Sequence, residues 1–151
     1  MKRFMDKMAA FIDTGIFVAI HNSRDQCHEE AKKLGEKAIN GVFGKLYTSD
    51  YILDEVVAFI YKKTDKPVLV LEAIDFIQNS GRIDILHVDS SIFASAKVCA
   101  EQYPSLKLSV TDWTSVNLMI ENKIVKILSF DSDFDKLKTI DKFSRISRIP
   151  K

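Results

Sequence analysis

Short apolar runs alternate with longer helical stretches along almost the whole chain, and this alternation restricts the fold more than any single motif does. "AAFID" (9–13) reads as a buried strand, and "DTGIFVAIH" leads out of it into a short helix. Residues 24–39 have helical composition and place Cys27, Ala31, Leu34 and Ala38 on one apolar stripe. "KLYTS" (45–49) is a second strand, after which Ser49 can cap a helix over 50–63. Pro67 opens a further helix and Gly81 ends it. A strand over 82–88 and a helix over 89–103 follow, closed by Pro104. Ser109 and Asp112 stand as Ser-x-x-Asp ahead of "WTSVNLMIENK", a helix of about three turns. "IVKILSF" (124–130) is the clearest remaining strand, and "RISRI" (145–149) adds a last one.

Strands that alternate with helices imply right-handed crossovers and a mostly parallel sheet covered on both faces. The expected class is therefore α/β, with four or five strands. In such open sheets, ligands gather beyond the carboxyl ends of the strands near a topological switch point. Chemistry should be sought at that edge.

The chain has 151 residues, 46% of them apolar, which suits one domain with a single core. Residues 9–151 are expected to form it, with 1–8 as an N-terminal extension and Met5 or Met8 as alternative starts. A net charge of +1 built from many charges of both signs gives no global attraction for nucleic acid. Any basic surface must be local. Two cysteines, Cys27 and Cys99, make neither a disulfide framework nor a zinc site, and both read as reduced, core-facing thiols. No long apolar run follows the positive charges at the N-terminus and none later approaches a membrane span, so a soluble, cytoplasmic protein is expected.

Acids collect where the sheet rule points. Asp13 ends the first strand, Asp131 follows "IVKILSF", and Asp112 opens the helix before that strand. In a parallel sheet all three share one edge. Glu55 sits among Tyr51, Ile52, Val56 and Phe59, so its carboxylate is held against the core and needs a metal, a cation or a hydrogen-bond donor. Four carboxylates within about 5 Å would repel by on the order of 3 kcal/mol per pair at an effective dielectric near 20. Such a cluster calls for a cation, and oxygen-only ligands select a hard ion, Mg2+ or Mn2+. That ion chemistry supports water-driven phosphodiester cleavage.

"FIDTGIFVAI", "HEEA" after Asp25, "YTSDYILDEV", "LSVTDWTSV" and "ILSFDSDFDKL" together resemble the PIN-domain nucleases, and within them the VapC-like toxin ribonucleases. The resemblance spans about residues 9 to 149. It implies a three-layer α/β/α sandwich, divalent-metal-dependent RNA cleavage, commonly a homodimer, and for a toxin a cognate antitoxin that blocks the acidic pocket. Carried over by position, it makes Asp13, Glu55, Asp112 and Asp131 the acidic quartet, Asp133 an additional metal-binding acid, and Thr14 and Ser129 flanking polar residues. Family members usually have a small residue after the third acid, where this chain has Trp113. A ring there can stack on a base, narrow the groove or pack.

Competing readings remain for each residue. Asp13 can begin a turn with Gly15, Asp112 can serve as a capping-box acid, and Asp131 can cap a helix near Ser132. Asp135 reads as solvated, and His21, His28 and His87 read as structural. Lys62, Lys63 and Lys66, after the helix carrying Glu55, can form a local rim for RNA phosphates. Two other functions compete with a ribonuclease. One is a degenerate module of the same fold that binds RNA or protein. The other is an Asp-x-Asp phosphatase with Asp131 as nucleophile, disfavoured because only twenty residues follow it. An EF-hand loop from Asp131 fails, since Lys136 and Lys142 hold the places of its glycine and glutamate.

Overall fold

The computed structural model describes residues 8–151, so all but Met8 of the expected N-terminal extension lies outside the described residues. Five strands, β1 (Ala9–Ile12), β2 (Lys45–Ser49), β3 (Ile83–Leu86), β4 (Lys126–Leu128) and β5 (Ser147–Ile149), form one sheet in the order β3-β2-β1-β4-β5. Every neighbouring pair is parallel. Among the described residues the six α-helices are α1 (Thr14–His21), α2 (His28–Ile39), α3 (Asp50–Thr64), α4 (Pro67–Asn79), α5 (Ser90–Gln102) and α6 (Val110–Glu121). Short 3-10 turns cover Pro104–Leu106, Ser132–Thr139 and Asp141–Phe143.

The strand order decides which face each helix covers. From β1 the chain steps outward to β2 and β3, then returns past β1 to β4 and β5. Right-handed crossovers therefore send α1 to α4 to one face and α5, α6 and the last 3-10 turns to the other. The packing agrees, since α1 touches α2, α3 and α4 while α5 lies along α6. The result is a three-layer α/β/α sandwich. Its switch point lies between β1 and β4, where the connections leave in opposite directions.

β1 is buried on both sides, with Ala10, Phe11 and Ile12 all inside, as a central parallel strand must be. Its register with β2, Ala9 opposite Lys45, brings Asp13 level with Ser49 when carried forward. On the other flank the Asp13 N–H donates to the Leu128 carbonyl at 3.0 Å. Asp13 is thus fixed to β4 through its backbone. The predicted caps form: Ser49 Oγ accepts from Ile52 N, and Ser109 and Asp112 complete a reciprocal capping box.

Two readings are corrected here. The helix expected from residue 24 begins at His28, because Asn22 and Asp25 side chains take the Arg24 and Cys27 N–H groups in local turns. Cys27 is consequently half-buried and off the stripe of Ala31, Leu34 and Ala38, while Cys99 is buried. Trp113 is fully buried, so it cannot stack on a substrate base. Its ring packs at 5.8 Å from Tyr103 and 5.5 Å from Phe143, tying α6 to the C-terminal turns.

Trp113 Nε1 has no hydrogen-bond partner among the described residues, so this ring stabilises by packing alone. Trp113→Ala is expected to cost about 3–5 kcal/mol in urea unfolding, and Trp113→Phe much less, since no hydrogen bond is lost. Equal unfolding midpoints for wild type and the alanine variant would refute the packing role.

Candidate active site

Four elements deliver the acids to the switch point. Asp13 ends β1 and precedes α1, Glu55 lies in the second turn of α3, Asp112 in the first turn of α6, and Asp131 opens the 3-10 segment after β4. Their mutual charges are felt: Asp112 and Glu55 both act on Asp13, and Asp131 and Glu55 both act on Asp112.

Neutral donors orient the set. The Thr14 hydroxyl donates to Glu55 Oε1 at 2.6 Å, joining the starts of α1 and α3. The fully buried Ser129 donates to Asp13 Oδ2 at 2.6 Å and accepts the Asp131 N–H at 3.0 Å. One hydroxyl therefore spaces two of the acids. Asp131 Oδ1 accepts from Asp133 N, and Asp112 Oδ2 accepts from Ser109 N. Asp133 itself pairs with Lys136 at 2.7 Å at the mouth of the site.

Burial is the main electrostatic fact. It raises Asp13 from 3.8 to about 7, with Ser129 opposing and the charges of Asp112 and Glu55 adding. It raises Asp112 to about 6, against the Ser109 hydrogen bonds and with help from Asp131 and Glu55. Among the described residues no Lys, Arg or His forms an ion pair with Asp13, Glu55, Asp112 or Asp131. A half-buried, all-oxygen donor set without a counter-ion fits a hard divalent cation. As they stand, no three acids among the described residues close around one ion, and Glu55 and Asp112 are hydrogen-bonded to Thr14 and Ser109. Loading would require the acids to draw closer together.

The remaining candidates separate. Lys63 and Lys66 line one cavity, whereas Lys62 lies with Phe59 and Lys63 along another hollow. Asp135 is not free in solvent as expected. Arg148 on β5 grips it through Nε at 3.0 Å and Nη2 at 2.9 Å, and this fork holds the Asp135 carboxyl below its usual range. Arg148 Nη1 also donates to the carbonyls of Ser129 and Pro150. Sequence reasoning missed this tie, because nothing in the pattern "RISRI" singles out Arg148 from its neighbours.

Two predictions follow the geometry. Asp13 and Asp112 have folded-state pKa values above the unfolded 3.8, so the metal-free folded chain binds extra protons; their contribution is fully present below about pH 4 and is lost as pH rises through 6 and 7. In EDTA, Asp13→Asn should therefore gain on wild type by roughly 2–3 kcal/mol between pH 5 and 8, measured by urea unfolding at each pH. A pH-independent difference would show that Asp13 is not desolvated. Arg148→Ala should weaken Mn2+ binding several-fold in calorimetry by loosening the Ser129 end of β4, and Arg148→Lys should not restore it, since lysine lacks the fork. Wild-type affinity in the alanine variant would show the tie to be independent of the site.

Comparison with known proteins agrees with the fold. The family model described as PIN domain matches residues 10–140. A VapC ribonuclease of Archaeoglobus fulgidus is 30% identical over 150 residues, covering 91% of each chain. Among solved structures, VapC20 of Mycobacterium tuberculosis, a sarcin-ricin loop cleaving toxin, superposes with TM-score 0.74 at 23% identity over 83% of this chain and 92% of its own. The VapBC2 structure from Rickettsia felis, bound to a promoter DNA fragment, gives 0.60 at 16% identity over 89% and 95%. The structural likenesses speak to the fold, while the domain match and the archaeal relative decide the family: the chain belongs to the PIN-domain family and is VapC-like.

Proposed function

We propose that this chain is a divalent-metal-dependent endoribonuclease of the VapC kind, with Asp13, Glu55, Asp112 and Asp131 as the metal-holding and catalytic acids and Asp133 as an auxiliary acid. The observation that carries this reading is Asp13 itself, buried at the switch point with no ion-paired Lys, Arg or His among the described residues, while the charges of Asp112 and Glu55 act on it. Family membership and the archaeal ribonuclease relative support the same activity. These acids would hold Mg2+ or Mn2+, which would supply Lewis acidity toward a phosphodiester and make a bound water more acidic.

The chain's own residues do the positioning. Ser129 keeps Asp13 Oδ2 and the Asp131 backbone at fixed spacing, and Thr14 sets the Glu55 carboxylate. Asp13 and Asp112, whose pKa values burial raises to about 7 and about 6, would have to release protons to hold a cation. The Asp-x-Asp phosphatase reading finds no support, since Asp131 follows the fourth strand and its carboxylate caps a 3-10 turn. A degenerate binding module is favoured only by the capping duty of Asp112.

The partners belong to the same reading: an RNA substrate, supported by the sarcin-ricin loop cleaving toxin among the structural neighbours, a second copy in a homodimer, and an antitoxin. A cavity of about 330 Å³ lined by Ile20, Lys32, Gly35, Glu36, Ile39 and Phe76 offers an apolar seat for an antitoxin segment. No described helix is long and apolar enough to cross a membrane. A cytoplasmic site of action accords with an RNA target.

Asp13→Asn, nearly isosteric and still able to accept from Ser129, is expected to remain folded and lose cleavage of an RNA panel by at least about a hundredfold. EDTA should abolish wild-type cleavage and Mn2+ restore it. Full activity of the variant in a nuclease-free preparation would overturn the assignment, and calorimetry without Mn2+ binding would favour the degenerate module.

A further inference from the structure

A second polar cavity, of about 280 Å³, opens where α1 and α3 end, and its lining includes His21, Arg24, His28, Lys63, Lys66 and Leu69. Three separate stretches supply its cations: the turn after α1, the last turn of α3 and the junction before α4. Arg24 and Lys66 form no ion pair among the described residues, and Lys63 meets Asp25 only at 3.9 Å. Glu72 acts on His21 from α4, so the cavity is not purely cationic, but positive charge is in excess.

The distance from the acids follows from the helices. Thr14 and Glu55 are bonded to each other near the starts of α1 and α3. At 1.5 Å per residue, His21 lies about 10 Å along α1 from Thr14, and Lys63 about 12 Å along α3 from Glu55. Two helices tied at the acid end thus bring both residues to one place. That separation falls within the footprint of roughly four or more nucleotides common for single-strand grooves.

His21 adds a polar feature suited to a sugar. Its Nδ1 donates to the Phe17 carbonyl at 2.8 Å, leaving Nε2 as the remaining polar atom of the ring. Burial holds the His21 pKa below its usual value, so at neutral pH that nitrogen is an acceptor. A ribose 2′-hydroxyl is a matching donor.

We propose that this cavity binds one ribose-phosphate unit of the RNA strand flanking the cleaved bond, Arg24, Lys63 and Lys66 contacting the phosphate and His21 the 2′-hydroxyl. The proposal rests on the ribonuclease reading and assigns that enzyme a second contact with its substrate, away from the acids. It also separates Lys63 and Lys66 from Lys62, which takes no part.

The test uses a fluorescein-labelled single-stranded 12-mer RNA, the DNA of the same sequence, and Asp13→Asn protein in Mg2+ so that the probe stays intact. Adding Arg24→Ala and Lys66→Ala should weaken RNA binding at least tenfold by anisotropy and make the log–log salt slope shallower by about 1.4, the loss of two single-strand phosphate contacts. RNA should bind several-fold more tightly than DNA. Lys62→Ala serves as control and should change neither quantity. An unchanged slope, or no RNA binding before the cations are removed, overturns the phosphate contact; equal affinity for the DNA overturns the ribose contact. Failure of wild type to cleave any RNA, with the Arg24 and Lys66 effects intact, would sink the nuclease reading and leave this site standing.

Discussion

Burial of the Asp13 carboxyl with no ion-paired partner among the described residues is the constraint on which the site depends. A charged group in that position costs several kcal/mol unless something compensates it. The protein offers one short bond from Ser129 and the backbone around Thr14, which lower the carboxyl's pKa, yet desolvation still wins and holds it near neutrality. A group so poised exchanges a proton for a cation at little cost. The same Ser129 hydroxyl reaches the Asp131 backbone, so two acids separated by more than a hundred residues share one hydrogen-bonding partner.

This arrangement is possible because of the strand order. β1 lies between β2 and β4, and the chain leaves its two flanks in opposite directions, which opens a crevice above the end of β1. Asp13 and Asp131 arrive from the strands beneath, Glu55 from the helix on one face and Asp112 from the helix on the other. Each acid also has a structural duty or tether of its own. Capping and ligation are compatible here, since a cap leaves one carboxylate oxygen available, as Asp112 shows by using Oδ2 for the Ser109 N–H.

The strands, the helices and their order were legible because hydrophobic runs, caps and prolines act locally. "KLYTS" forms the predicted strand, and Ser49, Ser109 and Asp112 cap as their spacing implies. Residue-level errors arose where long-range packing decides. Trp113 sits beside an acid in sequence, yet its ring turns inward onto Tyr103 and Phe143. Asp135 looked solvated until β5 brought Arg148 to it across the sheet edge. Asn22 and Asp25 diverted the chain from helix for one more turn, a competition between side chain and backbone that composition does not reveal.

By itself, the sequence determined the α/β class, the near-parallel sheet and the positions of the acids at strand and helix ends, because these depend on periodicity and on contacts within a few residues. Only the tertiary structure decided that Ser129 joins Asp13 to Asp131, that Thr14 is the partner Glu55 required, and that Arg24, Lys63 and Lys66 share a cavity with His21. Those relations cross from strand to strand and helix to helix. Register and crossover handedness create them, and neither is written in any one stretch of chain.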